Sequence, residues 1–568
     1  MKNRLLFLLI LLFVFSKFSF GQDFHWVKSF GSELNDYCNA VAIDKYGNTY
    51  AAGTFGYLGM IFPGGSYYLS TPYLLIEGDT LFNNGFDNMF LAKYDLWGNL
   101  LWAKSIGGWN THESGEGSGG LVYDPASDHI YFSGCGTGQI KIGSVIINCS
   151  NSDVFLAKFD LNGNCLWGKN FLGAGDDGVC GMCIDTQGNV YLTGINDESM
   201  TIQSITVEKG EYIAKFNSSG TCIWAKKEFP LFSGSASSTF LLPTSIKENH
   251  SDIIFGGYTN SKNVIIDTLS ITDTNYNGSY DYYAGILAKF DSVGNVKWGK
   301  YFGSPCSFLN TIDCDNVGNI FNAGYYGHSN YYDSARLDSA GSFLAKCDSS
   351  GNLLRIKKTG SYSSYIQEIQ IDKYGNCFAS GYSNDVETFG GTTFTTKGTF
   401  TLKFSPAGEV EWARQVKGGS DGPTKALTVN PEGSIIVIGG SFSHFISIDS
   451  SITINNTDTN IYGTDNVFLV RYDGSSGIKE NNAKIDNSLH IYSNPTSGIF
   501  AISVPVDFLN ENTLILTIFN SLGSTIHQEK IKVNGDNIEE NLKHVSKGCY
   551  TVTLTNGLRC FYGKVIII

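Results

Sequence analysis

The chain has 568 residues, enough for several domains or for one large repeat domain with additions. Only 16% of the residues are charged, against about 25% in an average globular protein, while Gly (66), Tyr (31) and Phe (38) are abundant, a balance that points to an all-β chain rich in turns. The net charge is −14 with no cluster of Lys and Arg; phosphate binding needs clustered cations, so nucleic acid is not an expected partner.

The first segment reads MKNRLLFLLILLFVFSKFSFGQ. Lys2 and Arg4 precede an unbroken apolar run from Leu5 to Phe15, and Ser19 and Gly21 stand at −3 and −1 before Gln22. That is the pattern of a cleavable secretory signal over residues 1–21. The run is too short to span a bilayer, which takes about 20 apolar residues, and no later run is long enough, so no transmembrane segment is expected. The 13 Cys are odd in number and scattered, which does not indicate a disulfide framework. Cys180 and Cys183 read as two small buried residues, and Cys549 and Cys560 are expected to face each other across a hairpin.

From residue 24 the chain repeats itself. One apolar run recurs as FHWVKSFG (Phe24–Gly31), LLWAKSIGG, CLWGKNFLG, CIWAKKEFP, VKWGKYFGS, LLRIKKTGS and VEWARQVKGG (Val410–Gly419). It places six of the eight Trp at one position: Trp26, Trp102, Trp167, Trp224, Trp298 and Trp412, with Arg355 in the remaining copy. A second run precedes it seven times, from MFLAKYD (Met89–Asp95) to VFLVRYD (Val467–Asp473). A third element is strand, turn and strand, clean in AIDKYGNTYAAG (Ala42–Gly53), CIDTQGNVYLTG, CDNVGNIFNAG and IDKYGNCFASG, and degraded in three further copies. In the Asp-x-x-Gly-Asn turns the Asp caps backbone N–H groups and the Gly accepts a positive φ.

Each unit therefore has four short strands and no helical pattern, the signature of a β-propeller blade. The repeats open on a fourth strand, FHWVKSFG, and close on a third strand, VFLVRYD. Pairing them completes a seventh blade and hides two sheet edges. The expected fold is all-β: a seven-bladed propeller over residues 22–477, closed by the N-terminal strand and followed by a small C-terminal β-sandwich. Each Trp is expected to pack between neighbouring blades.

The composite pattern FLAKxDxxGNxxWxKxxGG followed by AIDxxGNxYxxG resembles the SBBP-type β-propeller repeat of bacterial exported proteins, over about Phe24 to Gly477. The resemblance implies a scaffold rather than a reaction.

After Asp473 a polar stretch gives a linker over residues 478–488. Three alternating stretches then follow, LHIYSNPTSGIFAISV, LTIFNSLGSTIHQEKI and GCYTVTLTNGLRCFYGKVIII, split by turn residues. They fit a β-sandwich over 489–568. Their spacing resembles the type A C-terminal sorting domain of the Bacteroidetes type IX secretion system, through Tyr492, Asn494, Pro495 and Gly498; Asn520 and Gly523; Gly548 and Tyr550; and Lys564 with its apolar tail. Ser493 stands where that family usually has Pro, and the tail lacks the usual double Lys. The resemblance implies passage through the periplasm, contact with the secretion machinery, release or display outside the cell, and removal of this domain.

No residue set dictates a reaction. There are six Arg, too few for the Arg cluster of a sialidase propeller, and there is no Gly-x-Ser-x-Gly, His-Glu-x-x-His or phosphate loop. Asp273, Asn275, Asn277, Gly278 and Asp281 spell D-x-N-x-N-G-x-x-D, hard oxygen ligands that can wrap Ca²⁺; with two charged ligands and no copy in another repeat, a plain loop is the favoured reading and no cofactor is expected. Binding is expected in the variable connections between second and third strands, because variable loops on a rigid frame usually carry it. Their exposed Tyr residues (Tyr67, Tyr68, Tyr73, Tyr276, Tyr280, Tyr325 and Tyr326) suit a glycan or a protein. The expected function is non-catalytic binding outside the cell; the alternative is a polysaccharide hydrolase or lyase with its acids on those loops.

Overall fold

The computed structural model describes residues 24–568 apart from 58–72, 84–87, 108–109, 113–119, 228–240, 277–281, 304–305, 328–329, 333–334, 419–425, 449–451, 457–463, 474–488, 506–507, 509–512, 521–524, 534–536 and 557–559. The segment read as a signal lies outside the described residues. Two compact units divide the chain, Met1–Gly477 and Ile478–Ile568. Both are all-β, with no α-helix among the described residues.

The strands of the first unit fall into seven groups of four, antiparallel throughout. Group I is Asn35–Ile43, Thr49–Tyr57, Asn88–Tyr94 and Leu100–Ile106. Group II is Leu121–Asp124, His129–Ile142, Val145–Asp160 and Cys165–Gly173, and group III is Asp177–Ile184, Val190–Asn196, Gly210–Phe216 and Cys222–Lys227. Group IV is Leu241–Asn249, Asp252–Thr259, Ala284–Phe290 and Val296–Phe302. Group V is Ser307–Cys314, Ile320–Tyr326, Gly341–Cys347 and Leu353–Lys358, and group VI is Ser364–Ile371, Cys377–Ser383, Gly398–Phe404 and Val410–Gly418. Group VII is Ala426–Val429, Ile435–Phe442 and Asn466–Asp473, completed by the N-terminal strand Phe24–Phe30. That last pairing runs from Phe24 opposite Tyr472 to Phe30 opposite Val467, as the register of the repeats requires. The first strand of each group packs against that of the next, and that of group VII packs against that of group I.

One row of side chains builds the seams. Across group I, Tyr50, Lys93 and Trp102 stand opposite one another on the second, third and fourth strands. The Lys93 ammonium lies over the Tyr50 ring, 4.9 Å from its centroid. Both Lys93 Nζ and Trp102 Nε1 donate to the carbonyl of Leu161 in group II, at 3.1 Å each. The same row recurs with Tyr131, Lys158 and Trp167, and with Tyr191, Lys215 and Trp224. Trp26 Nε1 likewise donates to Leu96 of group I, and Arg471, 2% exposed, takes the place of the Lys and donates to Gly47. Burial of each large ring is worth about 2–3 kcal/mol.

The second unit has a three-stranded sheet (Ile491–Tyr492, Ile499–Ser503, Asn537–Asn541) and a four-stranded one (Thr525–Ile531, Leu514–Phe519, Gly548–Thr555, Cys560–Ile567). Phe500, Ile502, Leu516, Ile518, Val552 and Leu554 form its core. The register corrects one expectation: Cys549 stands opposite Ile566 and Cys560 opposite Thr555, so the two do not face each other. To face each other the two would need the chain to reverse between Leu554 and Thr555, but both residues belong to the strand Gly548–Thr555, which reverses only after them.

Candidate ligand-binding face

The strands of the first unit end on two dissimilar sides. On one side lie the Asp-x-x-Gly-Asn turns, and their polar groups are spoken for. Asp44 Oδ1 accepts from the N–H of Tyr46 and of Asn48, both at 2.9 Å, and its Oδ2 accepts from the Asn48 side chain at 2.8 Å. Asp95, Asp160, Asp185, Asp291, Asp315, Asp348 and Asp372 repeat the arrangement. Bonds from the Asn352 backbone and side chain hold Asp348 below the usual carboxylate range. Both oxygens of each carboxylate are engaged within its own turn, as turn architecture requires.

On the other side, the described parts of the connections between second and third strands contain short hairpins. They include Tyr73–Ile76 with Asp79–Phe82, Met200–Ile202 with Ile205–Val207, Asn263–Ile266 with Leu269–Thr272, Glu387–Phe389 with Thr392–Phe394, and Phe445–Ile448 with Ile452–Asn455. One face of them is buried, through Leu74, Ile76, Met200, Ile202, Phe389 and Ile448, while Leu75, Phe82 and Phe445 stay exposed. Two of the hairpins pair with the fourth strand of the preceding group: Ile202 stands opposite Phe171 and Ile448 opposite Val416. These connections therefore cover seams between groups, which removes much of the free loop surface that the sequence suggested.

The sequence-selected tyrosines scatter accordingly. Tyr67, Tyr68 and Tyr280 lie outside the described residues. Tyr73 is half-buried and starts a hairpin opposite Phe82. Tyr276 is exposed and meets Tyr282 edge-on at 4.6 Å. Tyr326 is fully buried and packs near Phe343, so it belongs to the core; strand alternation turns it inward while its neighbour Tyr325 points out. Of the residues considered for calcium, Asp273 is buried, accepts from the Asn275 N–H at 2.8 Å and from the Tyr282 hydroxyl, and so closes a local turn. Asn277 and Asp281 lie outside the described residues.

Tyr325 belongs to a larger assembly that sequence reading missed. Tyr258 and Tyr283 of group IV, Phe308 and Tyr325 of group V, and Tyr362 and Tyr365 just before and within group VI form a continuous arc of rings. Centroids are 5.1 Å apart for Tyr258 and Phe308, 4.7 Å for Tyr283 and Phe308, 6.2 Å for Phe308 and Tyr325, 4.8 Å for Tyr325 and Tyr365, and 5.8 Å for Tyr325 and Tyr362. Five of the rings are half-buried and Tyr362 is 61% exposed, so each shows part of itself to solvent. Burial, then a hydrogen bond with Tyr362, raises the Tyr325 hydroxyl and keeps it a neutral donor. The positions matching Tyr258 and Tyr325 in groups I, II, III and VII are Thr54, Cys135, Ile195 and Ser441, so the arc is confined to one sector.

The first strands of the same three groups also carry charge. Lys247 Nζ lies 4.0 Å from Glu368, and Asp313 Oδ2 accepts from the Ile371 N–H at 2.6 Å. Burial opposes the charge on Lys247, but Asp313 and Glu368 outweigh it and raise its pKa; burial raises Asp313. The residues equivalent to Lys247 and Asp313 in groups I to III are Ala42, Val122 and Cys183, and those equivalent to Glu368 in groups I and III are Ala40 and Gly181. Groups IV to VI are thus set apart at both levels.

Comparison with known proteins decides the destination of the chain. Residues 490–568 match the family model of the secretion system C-terminal sorting domain. The protein is exported by the type IX system, to the cell surface or beyond it. Within that domain Asn494 is the best-explained motif residue: its amide donates to the Lys564 carbonyl at 2.7 Å and its Oδ1 accepts from Ile566 at 2.9 Å, tying the first strand to the last. Gly498 has φ +105°, and Tyr550 is buried with its hydroxyl on the Ser546 carbonyl. Tyr492 is exposed and bonds Asn537, Gly548 opens the strand that carries Tyr550, and Gly523 lies outside the described residues. The secretion machinery is therefore a partner, and no helix among the described residues is long and apolar enough to cross a membrane.

An uncharacterized WD repeat-containing protein of Acanthamoeba polyphaga mimivirus is 19% identical over 539 residues, covering 73% of this chain but only 37% of its own length. Among solved structures, the extracellular domain of a B. thetaiotaomicron protein described as a one component system matches with a TM-score of 0.15, at 10% identity, over 96% of this chain and 98% of that one. The rhamnogalacturonan lyase YesW matches at 0.24, with 9% identity over 95% and 91% of the two chains. Scores this low establish no shared fold.

Proposed function

We propose that residues 24–473 form a closed seven-bladed β-propeller of the SBBP type, delivered outside the cell as a non-catalytic binding scaffold. The cyclic packing of first strands and the pairing of Phe24–Phe30 with Asn466–Asp473 support the closed ring. The bound species is a glycan lying along the arc from Tyr258 to Tyr362. The observation that carries this is the run of half-exposed rings across three blades: sugar faces stack on aromatic faces, and the tyrosine hydroxyls bond sugar hydroxyls.

A glycan array probed with the full chain tests this, alongside Tyr325→Ala and Tyr362→Ala. Loss of most binding in the variants, with no reducing sugar released by the intact protein, is the expected result. Release of reducing sugar or unsaturated product would make it a hydrolase or lyase. Binding to proteins but to no glycan would replace the ligand while keeping the site.

The sorting domain is removed on export in this reading, supported by its terminal place after a polar linker. Mass spectrometry of mature material should give C-termini near residues 474–490; intact Ile568 on most molecules would sink this.

A further inference from the structure

The two seams of the sorting unit are built differently. Along one, backbone joins the sheets: Thr496 bridges Ile567, its N–H donates to the Ile566 carbonyl at 2.8 Å, and its carbonyl accepts from Ile568 at 2.9 Å. Along the other, two edge strands meet, Thr525–Ile531 of the four-stranded sheet and Asn537–Asn541 of the three-stranded one. No strand pairing joins these two among the described residues.

What meets there is polar. His527 stands opposite Ile518 and Glu529 opposite Leu516, both core residues, so both side chains occupy core-facing positions. Glu540 stands opposite Phe500 and its side chain is 6% exposed. Glu540 is buried and His527 half-buried, so both need partners, since unmatched burial is costly. Among the described residues the polar groups at hand are each other and the more exposed Glu529. His527 Nε2 lies 3.7 Å from a Glu529 oxygen and 3.7 Å from a Glu540 oxygen, beyond hydrogen-bond length. That nitrogen is shielded from solvent and has no hydrogen-bond partner. One ligand atom from each residue falls within 4.8 Å of the others.

We propose that His527 Nε2 and one oxygen each of Glu529 and Glu540 form a divalent-metal site of the Zn²⁺ class that clasps the open seam of the sorting unit. Imidazole and carboxylate at about 2.0–2.1 Å suit Zn²⁺, and ligands held at that length in a tetrahedron stand roughly 3.3 Å apart, a small contraction from the separations present. No thiolate is offered, which disfavours softer ions. Glu529 is 47% exposed, so water can reach the fourth position. A dication satisfies the orphaned nitrogen, neutralises two crowded carboxylates and ties two edges that otherwise invite pairing with other chains.

The test uses the full chain, stripped with chelator and dialysed against Zn²⁺ at neutral pH, with bound metal measured per chain. Thiols elsewhere add a background common to every variant. His527→Gln and Glu540→Gln should each bind one Zn²⁺ fewer than wild type, and Zn²⁺ should raise the melting temperature of the sorting-unit transition in wild type alone. Glu529→Gln, at the exposed ligand, guards against misfolding of the buried variants and should weaken the same equivalent at least tenfold. Equal stoichiometry and affinity in wild type and Glu529→Gln would overturn the site. So would a sorting-unit melting temperature indifferent to Zn²⁺ in the wild-type chain.

Discussion

Six seams of the first unit and the seventh solve the same problem with different parts. In six, the fourth strand presses a side chain onto the glycine of the next group's turn: Trp26 on Gly98, Trp102 on Gly163, Trp167 on Gly220, Trp224 on Gly294, Trp298 on Gly351 and Arg355 on Gly408. Each glycine has φ between +73° and +83°, and a Cβ there would stand 2.7–3.2 Å from the ring or guanidinium. At the seam from group VI to group VII the pattern stops. The third strand of group VII ends at Asp473 and no turn leads to a fourth, because Phe24–Phe30 begins the repeats. Arg414 fills the gap: its guanidinium stacks 4.5 Å from the Trp412 ring and donates to the Asp473 carbonyl at 3.3 Å. Trp412 Nε1 is buried with no acceptor among the described residues. The missing turn costs this Trp its hydrogen bond, so the seams should differ measurably.

The largest effect should come from breaking group VII. Deleting residues 24–31 leaves it three strands and an open edge, and Trp26→Ala alone removes a ring that is 7% exposed. Truncating a buried aromatic costs about 3–5 kcal/mol, a large share of the roughly 5–15 kcal/mol that holds a domain. Melting by calorimetry should show a steep drop for the first unit, with aggregation for the deletion. A deletion that melts like the intact chain would undo the proposed closure through Phe24–Phe30.

Next come the glycines. Gly98→Ala and Gly163→Ala meet both a positive φ and an indole, and should cost about 2–4 kcal/mol from backbone strain and overpacking together. Gly375→Ala shares the positive φ, +81°, but its nearest neighbour is the Pro406 side chain at 3.9 Å. It should cost only the strain of about 1 kcal/mol. Equal losses in denaturant titrations would mean that the rings do not rest on the turns.

A pH dependence can be traced to one side chain of group III. Burial raises Glu211 from 4.5 to about 7. The folded state therefore keeps a proton that the unfolded state has released, and stability is lost as pH rises from about 4.5 through 7. The shift sets an upper bound of about 3 kcal/mol. Glu211→Gln should flatten this part of the stability–pH curve and raise the melting temperature at pH 8. An unchanged slope between pH 5 and 8 would show that Glu211 is not responsible.

Much of this architecture was legible because it is local and repeated. The Trp column, the Asp-x-x-Gly-Asn turns and the register at the chain ends follow from residues a few positions apart, seen seven times. The hairpins were missed because segments such as TIQSITV are too short for alternation to stand out from loop composition. The buried lysines Lys93, Lys158 and Lys215 were visible as letters in FLAKxD, but lysine reads as surface until a carbonyl from the next group is seen to receive it. The aromatic arc was half visible. Tyr325 stands out in the sequence because it belongs to a cluster of tyrosines, whereas Tyr258 and Phe308 stand singly within strand patterns; comparing the residue after the repeated strand glycine, Tyr258 and Tyr325 against Thr54 and Ser441, exposes the sector. No repeat pattern could reveal His527, Glu529 and Glu540, which two different strands of a non-repetitive unit bring together.

The smallest effect is the most discriminating, because it isolates the hydrogen bond from the ring. Trp102→Phe keeps an aromatic in the seam but loses the N–H donated to Leu161, and should cost about 1–2 kcal/mol from the lost bond and volume. Trp412→Phe loses similar volume, yet removes an N–H that is buried with nothing to bind. An unsatisfied buried donor costs about 1–3 kcal/mol, so its removal offsets the volume lost. Trp412→Phe should therefore be neutral within about 1 kcal/mol or slightly stabilising. Adding Arg414→Ala should then destabilise, since the guanidinium bridges the Trp412 ring and Asp473 where the turn is missing. Matching losses at Trp102 and Trp412 would mean that the seventh seam finds an acceptor after all.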